Sequence, residues 1–260
     1  MQDLKVSIIQ APILWERKEQ NLTLFSQKIN AINEETDVIV LPEMFTTGFS
    51  MKPSQFAEET ESETLNRMRS WANDKNCAIT GSIIVKENNS YFNRLIWVRP
   101  DGTYETYDKR HLFRFAGEHQ QYRAGSEKLI VDLKGWKICP LICFDLRFPV
   151  WSRNLNQEYD CPIYVANWPA VRSSAWSTLL QARAHENQCY VIGVNRIGND
   201  GNEIPHSGNS SIINPKGDLL STIQANEQRT ETIKLSWGNL DSYRKKFPVS
   251  KDADNFKITS

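Results

Sequence analysis

Nowhere does an apolar run approach the ~18 residues that suggest a membrane-crossing helix, so no membrane partner is expected. An excess of one charge sign is missing too: Lys and Arg number 31, Asp and Glu number 31, and the formal charge is zero. A neutral chain has no whole-molecule attraction for phosphate backbones, which argues against nucleic acid as a partner. Cysteine is sparse for 260 residues: Cys77, Cys139, Cys143, Cys161 and Cys189 are an odd number, widely scattered. That is no disulfide framework, and it fits a reducing cytosol. The opening MQDLKVSIIQAP lacks the basic segment and apolar stretch of a secretory leader, so a cytoplasmic protein is expected. Neither G-x-G-x-x-G nor G-x-x-x-x-G-K-[ST] occurs, which removes the usual nucleotide fingerprints. Cys139 and Cys143 have no second ligand pair at zinc-like spacing, so neither a metal nor another cofactor is expected. No Pro/Ser-rich linker divides the chain, and residues 1–260 are read as one domain.

Short β-branched apolar runs bounded by Pro or Gly predict strands at 4–10, 37–41, 78–85 and 137–144. Pro140 cannot donate to a ladder, so a bulge or a missing bond is expected there. Leu22, Phe25, Ile29 and Ile32 share one face of a helix over 16–32, and Leu65, Met68, Trp71 and Ala72 one over 63–76. A hairpin over 90–107 turns at Pro100-Asp101-Gly102. The second half repeats the rhythm, with a strand at 162–167, a helix at 174–187, a strand at 189–195 and a hairpin over 210–223. Residues 237–260 show no clear period. Strands mixed with helices and hairpins indicate a layered α/β sandwich.

Ligands gather at the carboxyl ends of strands in open α/β sheets. Three reactive side chains fall there: Glu43 after DVIVLP, Lys109 after TYETYD, and Cys143 at the end of KICPLIC. A cysteine in an apolar strand is by default an inert small hydrophobe. Here the chain turns abruptly polar at Asp145 and Arg147, and a helix starting there would aim backbone N–H groups at the sulfur and favour thiolate. Glu43 lies between VIVLP and MFTTGF, flanks that shield a carboxylate from water, the setting of a general base. Lys109 borders Leu112, Phe113 and Phe115, and a lysine beside a glutamate stays cationic. The rival is Cys-His catalysis through His111, His119, His185 or His206. None of these sits in a papain- or caspase-type signature, and His206-Ser207-Gly208 is not the G-x-S-x-G of serine hydrolases.

LPEMF around Glu43, YDKRHLF around Lys109 and CPLICFDLRFP around Cys143 resemble, in that order, the three signature regions of the nitrilase superfamily, the carbon–nitrogen hydrolases. The resemblance runs from KVSIIQAP to HSGNSSIINPKGD, nearly the whole chain. It implies an αββα sandwich, a Glu-Lys-Cys triad and an assisting second glutamate, matched here by Glu118 in FAGEH. KRHLFRFAGEHQQYRAG and VANWP are similar to bacterial omega-amidases, which implies hydrolysis of 2-oxoglutaramate or 2-oxosuccinamate to the 2-oxo acid and ammonia. It also implies pairing into a homodimer or a higher homo-oligomer.

Phe144 stands where many relatives carry tyrosine, but its backbone N–H is independent of the side chain. Such substrates carry a carboxylate far from the amide, and arginine is its preferred fork. Arg147 is the candidate, with a structural ion pair as its alternative role. Trp168 and Phe45 are candidates for an apolar wall, with core packing as the alternative. A nitrilase, carbamoylase or aliphatic amidase would use the same triad. A non-catalytic binding protein on this scaffold is the reading from another class.

Overall fold

The computed structural model describes residues 1–258. Among the described residues thirteen strands succeed one another: β1 (Leu4–Gln10), β2 (Val38–Val40), β3 (Ala78–Glu87), β4 (Ser90–Val98), β5 (Tyr104–Asp108), β6 (Val131–Leu133), β7 (Trp136–Ile142), β8 (Cys161–Ala166), β9 (Val191–Asn195), β10 (Ile197–Asn199), β11 (Pro205–Ser207), β12 (Ser211–Ile213) and β13 (Arg229–Leu235). Six helices lie among them: α1 (Lys18–Asn30), α2 (Pro53–Phe56), α3 (Glu63–Lys75), α4 (Glu118–Gln121), α5 (Ser173–Asn187) and α6 (Trp237–Lys246). No helix among the described residues is long and apolar enough to cross a membrane.

Two sheets form the centre. One has six strands in the order β13-β1-β2-β3-β4-β5, the other five in the order β12-β9-β8-β7-β6. The period of two along each strand decides what each sheet face covers. In β1, Leu4, Val6 and Ile8 enter the core between the sheets, while Ile9 turns to the opposite face. In β2, Val38 and Val40 point inward and Ile39 outward; in β4, Leu95 and Trp97 point inward and Ile96 and Val98 outward. The outward set packs against Leu22, Phe25 and Ile29 of α1 and Leu65, Met68 and Ala72 of α3. On the other side, Trp176, Leu180 and Ala184 of α5 cover the five-stranded sheet. Helix, sheet, sheet, helix is the αββα sandwich that the sequence resemblance implies.

The apolar elements form within a few residues of their predicted bounds, and the differences have physical causes. Strand β13 is not visible in the apolar pattern because RTETIKL is polar. Among the described residues it pairs only with β1, antiparallel from Leu4↔Leu235 to Gln10↔Arg229, and charged residues are favoured on such an edge strand because they block further pairing. The tail holds a helix, α6, capped by Ser236 accepting from the Asn239 N–H, with only Leu240 and Arg244 buried. So narrow a stripe leaves no visible period. The expected strand at 219–223 does not form; Leu219 makes a single bridge to Ile213 and stays exposed. Pro140 causes no bulge: β7 and β8 pair one to one from Ile138↔Cys161 to Ile142↔Val165. Strand β6 pairs with β7 no further than Ile138, so Pro140 lies beyond the reach of that neighbour.

Candidate active site

Strands β1, β2 and β3 are mutually parallel, and β5 returns to that direction after antiparallel β4. Strands β7, β8 and β9 are parallel in the other sheet. Carboxyl ends therefore collect around one cavity of about 510 Å³. Its wall includes Glu43 beyond β2, Lys109 just past β5, Cys143 and Phe144 after β7, and Asn167 and Trp168 after β8. Glu43, Lys109 and Glu118 are fully buried. Cys143 is partly exposed.

The Lys109 ammonium lies between two carboxylates. Its Nζ donates to Glu43 Oε1 at 2.9 Å and to Glu118 Oε1 and Oε2 at 3.1 and 3.0 Å. The Phe49 ring lies 4.9 Å from the same nitrogen. Asn93 Nδ2, from β4, donates to Glu43 Oε1 at 2.8 Å and to Glu118 Oε1 at 3.3 Å. The Asn167 backbone N–H reaches Glu43 Oε2 at 2.7 Å, and its side-chain amide donates to the Glu43 carbonyl at 2.5 Å. The Phe113 N–H donates to Glu118 Oε2 at 2.5 Å. Every carboxylate oxygen thus has a donor, which is what makes two buried acids tolerable.

Burial alone would lower the Lys109 pKa, but Glu118, Glu43 and Cys143 offset it and the net shift is upward. Lys109 is therefore a permanent cation. Burial pushes Glu118 up and the charge of Glu43 adds to this, with Lys109 pulling the other way. The Cys143 thiol is pushed well above its ordinary 9.0, first by burial and then by Glu43, with Lys109 opposing. The sulfur rests as a thiol, and the expectation of a helix-stabilised thiolate is corrected. Beyond Ile142 the chain makes one 3-10 turn, Cys143–Arg147, too short for a strong dipole. Cys143 opens it at φ 43°, a left-handed conformation that costs a non-glycine residue about 1–3 kcal/mol. Met44, next to Glu43, has φ 44°. Such strain is characteristic of functional sites and lifts the sulfur out of the strand.

Arg147 lines the cavity with its guanidinium 5.1 Å from the Trp168 ring centre, and Trp168 forms wall. The structural ion-pair alternative for Arg147 has no partner among the described residues, where it forms no salt bridge. Phe144 is partly exposed on the cavity side. Phe45 does not line the cavity: its ring is fully buried, 5.5 Å from Phe25 and 6.2 Å from Trp71. The apolar wall it was expected to supply is made by Phe49, Phe113, Phe115 and Trp15 instead. Sequence reasoning missed Arg172, whose guanidinium lies 5.4 Å from the Phe113 ring and 5.8 Å from that of Phe115. Its carbonyl accepts from Trp168 Nε1 at 2.8 Å. Among the described residues no group of three His, Cys, Asp or Glu side chains is arranged for a metal ion.

His206 also lines the cavity, 4 % exposed, and its imidazole is pushed down to about 4, first by burial and then by the buried Arg196. The folded state therefore holds it neutral, while the unfolded chain protonates it near its ordinary 6.5. Stability from this source is complete above 6.5 and drains away as pH falls toward 4, by about 2–3 kcal/mol. Denaturant titrations at pH 7 and pH 4.5 should show His206→Gln losing less stability on acidification than the parent by about that amount. Equal losses in both proteins would assign the acid sensitivity to other groups.

The carbon–nitrogen hydrolase family model matches residues 5–245. The chain is 46% identical over 258 residues to the omega-amidase YafV of Escherichia coli K12, covering 99% of this chain and 100% of that one. It is 34% identical over 221 residues to the 2-oxoglutaramate amidase of Bacillus subtilis, covering 83% and 85%. Among solved structures, the CN-hydrolase superfamily protein XC1258 of Xanthomonas campestris, which carries an arsenic adduct in its active site, superposes with a TM-score of 0.97 at 39% identity, covering 100% of both chains. With its sandwich and its buried Glu-Lys-Glu cluster beside a cysteine, this chain is an amidohydrolase belonging to the carbon–nitrogen hydrolase family.

Proposed function

We propose that the chain hydrolyses the terminal amide of 2-oxo dicarboxylic acid monoamides, such as 2-oxoglutaramate and 2-oxosuccinamate, through a thioester on Cys143. The carrying observation is the cluster itself: a thiol, a carboxylate held by three donors, and a permanent cation on one cavity wall. Because the resting sulfur is protonated, attack needs a base, and Glu43 takes the thiol proton as sulfur bonds to the amide carbon. Lys109 and the Phe144 N–H stabilise the oxyanion that forms. Glu43 returns the proton to the departing nitrogen, ammonia leaves, and the acyl group stays on sulfur. Water, deprotonated by Glu43, then releases the acid and restores the thiol. Glu118 keeps Lys109 in place.

Two of the cavity's cations, Arg147 and Arg172, support an anionic substrate, while Glu16, Glu43 and Asp200 line it as carboxylates. Lys52 is engaged by Glu16 at 3.0 Å and Lys109 by Glu43 and Glu118. Arg147 and Arg172 rest on aromatic rings, which leaves their donor forks for a carboxylate. Ammonia release should be faster from 2-oxoglutaramate than from glutamine. Arg147→Lys should lose at least tenfold in kcat/KM for 2-oxoglutaramate and little for a neutral linear amide, because a bidentate contact is lost. Equal losses on both substrates would remove Arg147 from recognition. Preference for a simple nitrile or an N-carbamoyl amino acid over 2-oxoglutaramate would overturn the substrate assignment.

The five cysteines are all unpaired, which suits a reducing compartment, and we read the protein as cytoplasmic, one domain over 1–260, assembling as a homodimer as its resemblance implies.

A further inference from the structure

Asp145 is fully buried, does not line the cavity, and takes no part in the proposed bond-making and bond-breaking. Its four close contacts are all donors. Oδ1 accepts the His111 backbone N–H at 2.9 Å and faces His111 Nδ1 at 2.8 Å. Oδ2 accepts the Tyr107 hydroxyl at 2.7 Å and the Ile142 N–H at 3.0 Å. Among the described residues no lysine or arginine forms a salt bridge with it. Facing a carboxylate, His111 Nδ1 carries the hydrogen. His111 is itself fixed by stacking on Phe148 at 3.7 Å, and Tyr107 by the Trp151 Nε1 donor at 3.1 Å.

The placement of those donors gives the carboxylate its meaning. Tyr107 and His111 lie two residues before and two after Lys109, and Ile142 immediately precedes Cys143. One side chain therefore ties both flanks of the lysine to the backbone that launches the nucleophile. The two pieces belong to different sheets: Tyr107 is the penultimate residue of β5, and Ile142 ends β7. Ile142 is also the hinge from which the left-handed Cys143 departs.

We propose that Asp145 is a positioning residue, an anionic brace that sets the Lys109 ammonium against the Cys143 sulfur across the gap between the sheets. It acts through Lys109 and never touches substrate. Misplacing a catalytic group by about 1 Å costs on the order of 100-fold in rate, so the brace should govern turnover more than binding. The proposal requires only that Lys109 and Cys143 serve the reaction, and it is independent of which amide is the natural substrate.

Asp145→Asn is nearly isosteric, yet whichever way the amide flips, its NH₂ faces two donors and half the brace opens. The expected result is a kcat about 100-fold lower with KM within threefold, measured on the best amide substrate of the parent enzyme. The decisive measurement is the coupling with Lys109→Met, read with an activated aryl ester so that slow variants remain measurable. The double variant should be no slower than Lys109→Met alone. Losses that multiply, or a rise in KM at unchanged kcat, would overturn the proposal. Should Asp145→Asn not fold, Tyr107→Phe removes one donor and leaves the carboxylate three. It should lower kcat three- to tenfold at unchanged KM, again without adding to Lys109→Met, and an unchanged kcat would sink the brace. A parent enzyme that spares 2-oxoglutaramate but hydrolyses another amide would contradict the substrate assignment and leave this test standing.

Discussion

Cys143→Ala should fall to the background of ammonia release, a loss of at least about 10⁴-fold in kcat, while circular dichroism and the denaturation midpoint stay close to the parent. The size reflects the chemistry. Without sulfur no thioester forms, and what remains is binding plus the oxyanion donors, which on their own supply about 10³–10⁴ over water in other acyl-transfer enzymes. The unchanged stability reflects the position. Cys143 is a partly exposed residue of the cavity wall at the margin of the core, and an alanine there removes a single atom. Cys143→Ser is the sharper variant. An alcohol is far less acidic than a thiol, and Glu43, already holding Lys109, Asn93 and the Asn167 N–H, would have to take a more tightly held proton. It should be nearly as slow as alanine. Mass spectrometry of parent enzyme quenched during turnover should place the acyl group on Cys143. Cys77, Cys139, Cys161 and Cys189 are buried, with pKa values pushed up by desolvation. Full activity in the alanine variant would end covalent catalysis for this chain.

The parts of the site legible in the sequence are those where chemistry interrupts an apolar pattern. Glu43 after DVIVLP and Cys143 after KICPLI end buried strands, and a polar atom there stands out against its flanks. Lys109 is harder to single out, since Lys109-Arg110-His111 reads as a solvated run until Leu112 and Phe113 show that it borders core. Asn93 gives no signal because in SYFNRLIWV one polar residue is expected on the wet face of a half-buried strand, whereas this one is buried between two carboxylates. Asp145 has the look of a polar surface segment's first residue. It is instead buried, bonded by Tyr107, from β5, and by His111, from the segment after β5, both distant in sequence. The strained backbone at Met44 and Cys143 carries no glycine to flag it. Arg172 ends a short turn, Ala170–Arg172, and nothing local shows that Phe113 and Phe115 lie under its guanidinium. Sequence patterning reports how each element meets the core; it does not report which polar groups from different elements meet each other.

Lys109→Met should be the most damaging change to stability and to rate together, and the two losses should separate. At neutral pH Lys109 carries its full charge beside Glu43 and Glu118. Those carboxylates hold its pKa above the ordinary 10.5, so the stability it contributes is complete below that value and is lost only as pH rises through the folded-state pKa. Methionine fills the same volume without charge, leaving two buried carboxylates face to face. Breaking a buried pair in this way costs about 3–5 kcal/mol, because the charge left behind has no compensation. Glu118→Gln in the methionine background removes one of the two acids, and its amide still accepts from the Phe113 N–H through oxygen. The double variant should regain most of the lost stability in urea titrations. It should regain no activity, because no cation then faces the oxyanion, and kcat should stay at least about 10³-fold below the parent. Recovery of both quantities together would make Lys109 a structural counter-ion with no part in the chemistry.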